Sequence, residues 1–106
     1  MKRVVRSSSV RADLTAHFVY LAEQAGEPTA DRFLRCVRES TATLAQQPEI
    51  GALIDTLNPA LAGMRKWRVR EFDHFLIFYL PRENDVLLVR VLHTAQDWWS
   101  LLDVAP

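Results

Sequence analysis

The sequence predicts an α+β fold: an N-terminal strand, an antiparallel helical hairpin packed on a small antiparallel sheet, and a short C-terminal helix, in the order β-α-α-β-β-β-α. Three observations predict it. Apolar residues recur at spacings of three and four through the first half of the chain. The spacing changes to two after a loop rich in Pro and Gly. Two unbroken apolar runs then follow, separated by a short polar turn. The 106 residues, 49% of them hydrophobic, suffice for a single domain over residues 1–106 with one core.

Each element has its own signal. Residues 3–6 are β-tolerant and read as the first strand. Ser7, Ser8 and Ser9 then offer hydroxyls to cap the free amides of a first helical turn. Leu14, Phe18, Leu21 and Ala25 share one helical face, and Gly26 suits the left-handed position that ends such a helix. Pro28 fits the first turn of a second helix, where its missing N–H costs nothing. Phe33, Leu34, Val37, Thr41 and Leu44 mark that helix's apolar stripe, and Pro48 stops it. The short gap between the stripes predicts a hairpin. Residues 48–63, with Pro48, Gly51, Asn58, Pro59 and Gly63, form the one sizeable loop. From Arg65 to Arg70 the chain alternates, with Trp67 and Val69 on one face and Lys66, Arg68 and Arg70 on the other. The runs Phe75–Leu80 and Val86–Leu92 read as strands covered on both faces, joined by a hairpin over Pro81–Asp85. His93 or Thr94 is placed to cap a final helix carrying Trp98, Leu101 and Leu102.

Lys plus Arg equals Asp plus Glu at 13 each, so bulk charge does not draw the protein to nucleic acid. The distribution is more informative. Arg65, Lys66, Arg68 and Arg70 crowd together without an acid, and Lys2, Arg3, Arg6 and Arg11 cluster at the other end. If the two strands are neighbours, a neutral protein still carries one positive face. No apolar run reaches the roughly 18 residues that a membrane span needs. The basic N-terminus lacks the apolar stretch of a secretory signal. A single cysteine, Cys36, permits no internal disulfide and fits a reducing cytoplasm. It sits among apolar helical positions, as a buried structural thiol rather than a nucleophile. His17, His74, His93 and Cys36 lack metal-ligand spacing, and no Gly-rich phosphate loop is present, so neither a metal nor a nucleotide cofactor is expected.

Four positions bear on chemistry. Tyr79 ends an apolar strand and reads as a core tyrosine with its hydroxyl at the rim, against a catalytic phenol. His93 ends the last strand with Asp97 four residues on, so one helical turn would bring the carboxylate to the imidazole. That pair serves as a general base or as a clamp between strand and helix. Arg90 interrupts the most apolar strand, and unpaired burial there is costly. It reads either as a salt bridge to Asp13 or Asp31, or as an anchor for a partner. His17 and His74 have no partner suggested by spacing and are expected at the surface or its boundary.

The C-terminal half carries a family resemblance. Gly63-Met64-Arg65-Lys66-Trp67-Arg68-Val69 leads to Phe72 and His74-Phe75-Leu76-Ile77-Phe78-Tyr79, then to Val89-Arg90-Val91-Leu92-His93-Thr94-Ala95-Gln96-Asp97. The series is similar to the ParE-like branch of the RelE/ParE superfamily of toxins from type II toxin–antitoxin systems. That pattern is a Gly-Leu-Arg-x-Trp-x-Val strand, a Leu-Ile-Phe-Tyr strand and an Arg-Val-Leu-His-Gly-Ala-Arg-Asp ending. The match covers residues 63–103, with the helical hairpin before it in the right order. Two usual arginines are replaced, by Leu80 and by Gln96. The resemblance implies a non-catalytic inhibitor of DNA gyrase neutralised by a cognate antitoxin. Lys66, Arg68, Arg70, Arg90 and Trp98 are the residues expected to meet a partner. The RelE-like branch implies instead a ribosome-dependent mRNA endoribonuclease, with His93 as base and Lys66, Arg68 and Arg70 stabilising the phosphorane. Against that, the last helix offers Trp98, Trp99, Leu101 and Leu102 where a nuclease needs an acid. A third reading, permitted by Leu80 and Gln96, is an antitoxin-binding module that has lost its toxicity.

Overall fold

The computed structural model describes residues 1–104. In chain order the elements are β1 (Arg3–Arg6), α1 (Ser8–Ala25), α2 (Glu27–Gln46), β2 (Ala52–Leu53), a 3-10 turn (Pro59–Leu61), β3 (Arg65–Val69), β4 (Phe72–Pro81), β5 (Asp85–His93) and α3 (Trp98–Leu101). The expected order holds, with the short β2 added inside the loop. The strands form one sheet in the order β1-β5-β4-β3-β2. It is antiparallel except that β1 runs parallel to β5. A parallel pair needs a long connection, and the helical hairpin with the β3–β4 excursion supplies it.

This order corrects one expectation. Two strands, β5 and β4, separate β1 from β3. The cluster at Lys2, Arg3, Arg6 and Arg11 and the cluster at Arg65–Arg70 therefore do not merge into a single positive face.

Local chemistry explains where the helices start and stop. Ser7 is extended (φ −69°, ψ 162°), and its Oγ accepts from the Val10 N–H at 3.2 Å. Gly26 both ends α1 and precedes α2, at φ 92° and ψ 157°. That is the mirror image of extended backbone rather than the left-handed helical turn, and it too is open only to glycine. Pro28 lies in the first turn of α2, as its ring requires. The hairpin covers one sheet face, where Leu14, Phe33, Val37 and Leu44 meet Phe75, Ile77, Tyr79 and Leu88. On the opposite face Leu76, Phe78 and Leu92 are covered by Ile54 and Met64 of the long loop and by Leu102 behind α3. Two covers explain why β4 and β5 are apolar at successive positions.

Side chains of α1 complete the edge of β5. β1 pairs with β5 only as far as Leu88. Beyond that point the Ser7 hydroxyl donates to Val89 O at 3.0 Å. Asp13 Oδ2 accepts from the Val91 N–H at 3.0 Å, and His17 Nε2 donates to Val91 O at 2.7 Å. Spacing of four residues puts Asp13 and His17 on one face of α1, and together they satisfy the peptide groups that an adjacent strand would otherwise satisfy. His17 is therefore buried, where a place at the surface or its boundary was expected. Arg90 joins the same network: its Nε and Nη2 each donate to Asp13 at 2.8 Å. Of its two readings, the structure contains the salt bridge, to Asp13 and not to the exposed Asp31.

Candidate functional site

The outer edge of β3 is where the sheet is left incomplete. β2 pairs with Arg65 and Lys66 and then ends, so among the described residues Trp67, Arg68 and Val69 have no strand beside them on that side. Ser40 of α2 closes the far end: its Oγ accepts from the Arg70 N–H at 2.9 Å and donates to Cys36 O at 2.7 Å. Between these stops lies a groove of about 840 Å³, walled by Glu39, Ser40 and Thr43 of α2 on one side and by Leu76, Thr94 and Trp98 on the other.

The groove unites Lys66, Arg68, Arg70 and Trp98, four of the five residues expected to meet a partner. Arg90 is not among its lining residues, because Asp13 holds it at the other edge of the sheet. The cations are not equivalent. The Lys66 ammonium lies 5.3 Å from the centre of a Trp98 ring, and that indole leans on Phe78 with centroids 5.3 Å apart. Arg70 was expected on the same face as Lys66 and Arg68, but the register shifts between Arg68 and Val69. The shift aims its guanidinium back at Glu39 on α2, at 3.4 Å. Of the three, Arg68 is the exposed cation that has no ion pair among the described residues, and Glu39 and Asp73 make the lining mixed in charge.

The cations of the ribonuclease reading line the groove, whereas its proton-transfer candidates are engaged elsewhere. Tyr79 is buried, and its hydroxyl accepts from the Gly51 N–H at 2.9 Å. Burial pushes its pKa above the ordinary value, against the opposing pull of that hydrogen bond. His93 Nδ1 accepts from the Ala95 N–H at 2.9 Å, while the His93 backbone N–H donates to Gln96 Oε1 at 2.7 Å. Its ring stacks on His74 with centroids 5.9 Å apart and makes a T-shaped contact with Phe75 at 4.9 Å. Burial, and then the nearby His74 and His17, hold its pKa below the ordinary value. His93 does not line the groove.

The expected pairing of His93 with Asp97 does not form among the described residues. Residues 94–97 make a turn and a bend, and α3 begins only at Trp98, so helical spacing does not apply. Neither His93 nor Thr94 caps that helix; Asp97 occupies the position without a side-chain bond. Gln96 does the clamping instead, its N–H also donating to His93 O at 2.9 Å. Leu80, the other departure from the usual pattern, packs against the second apolar cluster. Cys36 is buried as expected, its thiol 3.6 Å from Glu71 Oε2, and burial followed by that carboxylate pushes its pKa up.

Sequence reasoning missed Glu39, Ser40 and the Asp13–His17 pair. Position 17 continues the buried series Val10, Leu14, Leu21 at helical spacing, and that periodicity was the available signal. For Glu39 and Ser40 there was none, since a helix does not reveal which strand edge it will meet.

Comparison with known proteins agrees with this architecture. No curated protein sequence matches the chain significantly. Among solved structures, a chain of the chromosomal ParDE TA system from P. aeruginosa is similar in fold, with a TM-score of 0.71 at 18% sequence identity, covering 88% of this chain and 96% of that one. Among the described residues no helix is long and apolar enough to cross a membrane. The sequence model of the ParE toxin of type II toxin–antitoxin system, parDE, matches residues 4–98, and the chain belongs to that family.

Proposed function

We propose that this chain is a non-catalytic, cytoplasmic toxin that inhibits DNA gyrase and is neutralised by a cognate antitoxin docking in the β3-edge groove. The observation that carries this reading is the groove's composition. It offers an open strand edge, an indole, and the cations Lys66, Arg68 and Arg70, which are groups that bind. The tyrosine and histidine that would move protons are occupied by backbone amides outside it. An extended acidic segment of the antitoxin would hydrogen-bond along β3 past Lys66, place an apolar side chain against Trp98, and set carboxylates beside Arg68. An antitoxin partner also follows from the family, since the similar structure is that of a ParDE system.

The test is expression without antitoxin, followed by separate assays of gyrase supercoiling and of translation. Loss of supercoiling with intact messages is the expected result. Rapid message cleavage would establish the ribonuclease alternative, and unaffected growth would establish the module without toxicity.

A further inference from the structure

We propose that His93 is a pH-sensitive latch that sets the position of Trp98 in the β3-edge groove. The chain leaves β5 at His93 and crosses to α3 through residues 94–97, all of them exposed. Thr94 and Trp98, at the two ends of this crossing, both line the groove. Bonds to His93 and to its neighbour His74 hold the crossing in place. The Ala95 N–H donates to His93 Nδ1 at 2.9 Å, and the Gln96 N–H donates to His93 O at 2.9 Å. The Thr94 N–H donates to His74 O at 2.7 Å, and the Trp98 N–H to Gln96 O at 2.8 Å. A change at His93 is therefore passed to Trp98 through one turn of chain. The far end of α3 is tied separately. There Thr56 Oγ1 donates to Leu102 O at 2.8 Å, and the Leu57 N–H donates to Asp103 O at 2.8 Å. Released at its near end, α3 pivots about that tie.

A neutral imidazole whose Nδ1 accepts a bond carries its proton on Nε2, whereas a protonated one donates from both nitrogens. Protonation thus sets an N–H of His93 against the N–H of Ala95. The groups around the ring add to the effect. From β4, His74 stacks on it and Phe75 makes a T-shaped contact with it. From α1, His17 makes a T-shaped contact with the same Phe75 at 4.9 Å, so three imidazoles gather at one ring. Among the described residues no carboxylate forms an ion pair with His93. Burial, then His74 and His17, hold its pKa below the ordinary 6.5. A released turn relieves the ring of all three, so the released form takes the proton more readily. The latch is closed above 6.5, and the released population grows as pH falls through 6.5 toward the folded value. Release takes Trp98 away from Phe78 and from the Lys66 ammonium. That this weakens a docked partner in acid rests on the reading of the groove given above, whereas the latch itself does not.

The test is an NMR titration of the full chain from about pH 8 to about pH 5, following the His93 ring, the Trp98 indole N–H and the backbone amides. The Trp98 indole and the Ala95 and Gln96 amides should move together with one midpoint, that of His93, below 6.5. Trp67 and the amides of α2 should hold their positions. His93→Gln should leave the Trp98 indole at one position throughout. His74→Gln removes the stacked like charge and should raise the midpoint toward 6.5, while Asp97→Asn should leave it unchanged. A Trp98 indole that stays still while His93 titrates would overturn the proposal, as would one that still titrates in His93→Gln. Movement of every amide at once would overturn it too, since that is unfolding of the whole chain rather than release of one turn. The titration needs no bound partner, so its failure would leave the reading of the groove as a docking site standing.

Discussion

Asp13, His17 and Arg90 show how much a few polar side chains decide in this core. The Asp13 carboxylate accepts two bonds from Arg90 and one from the Val91 amide. Asp13→Ala strands a guanidinium that is only partly exposed and a buried amide, and should lower stability by about 2–3 kcal/mol in urea denaturation. His17→Ala leaves the Val91 carbonyl without its donor and should cost about 1–3 kcal/mol. His93 makes a pH prediction with a definite sign. Its folded pKa is depressed below the ordinary 6.5, so the fold favours the neutral ring. That contribution is complete above 6.5 and is lost as pH falls through 6.5 toward the folded value. Protonation also removes the acceptor for the Ala95 amide. The urea midpoint should therefore drop between about pH 7.5 and about pH 5.5, and His93→Gln should shrink that drop. Asp97→Ala should shift stability by less than about 0.5 kcal/mol at either pH. A large effect there would restore the His93–Asp97 clamp.

Among the elements, β2 is the shortest, and one glycine admits it. A Cβ on Gly51 would lie 2.6 Å from both Lys66 O and the Tyr79 hydroxyl, and neither can retreat without opening the sheet. Gly51→Ala should cost about 1–3 kcal/mol through overpacking. Tyr79→Phe removes the acceptor of the Gly51 N–H and should cost about 1–2 kcal/mol. Because both substitutions displace β2, hydrogen exchange should speed at Ala52, Leu53 and Lys66 while β4 and β5 stay protected. Uniform loss of protection across the sheet would mean that β2 is integral to the cooperative core rather than a flap beside the groove.

For the whole molecule, two covers on one sheet leave the β3 edge open beyond Lys66. The reading of that edge as a partner site makes a kinetic prediction. Changing Lys66, Arg68 and Arg70 together to Ala should slow antitoxin association several-fold and flatten its salt dependence, with a smaller effect on dissociation. Trp98→Ala should act mainly on dissociation, because the indole supplies apolar contact rather than long-range attraction. Stopped-flow binding at two salt concentrations separates these outcomes. Equal effects of both variants on both rates would argue against the groove as the docking site.

Local and periodic features were legible in the chain. Capping at Ser7, the break at Gly26, the helical stripes, the strand runs and the buried thiol of Cys36 each depend on neighbours within a few residues. So did the grouping of Lys66, Arg68 and Trp98, to the extent that strand alternation and the resemblance at residues 63–103 placed them. Tertiary structure alone decided what depends on adjacency between distant segments. It paired β1 with β5, which kept the two basic clusters apart. It set α1 along the β5 edge, which drew His17 inward and committed Arg90 to Asp13. It also turned Arg70 toward Glu39 and gave His93 to Ala95 and Gln96. The physical reason is that spacing fixes which face a side chain takes, whereas its partner depends on which unpaired peptide or charge the folded chain brings alongside.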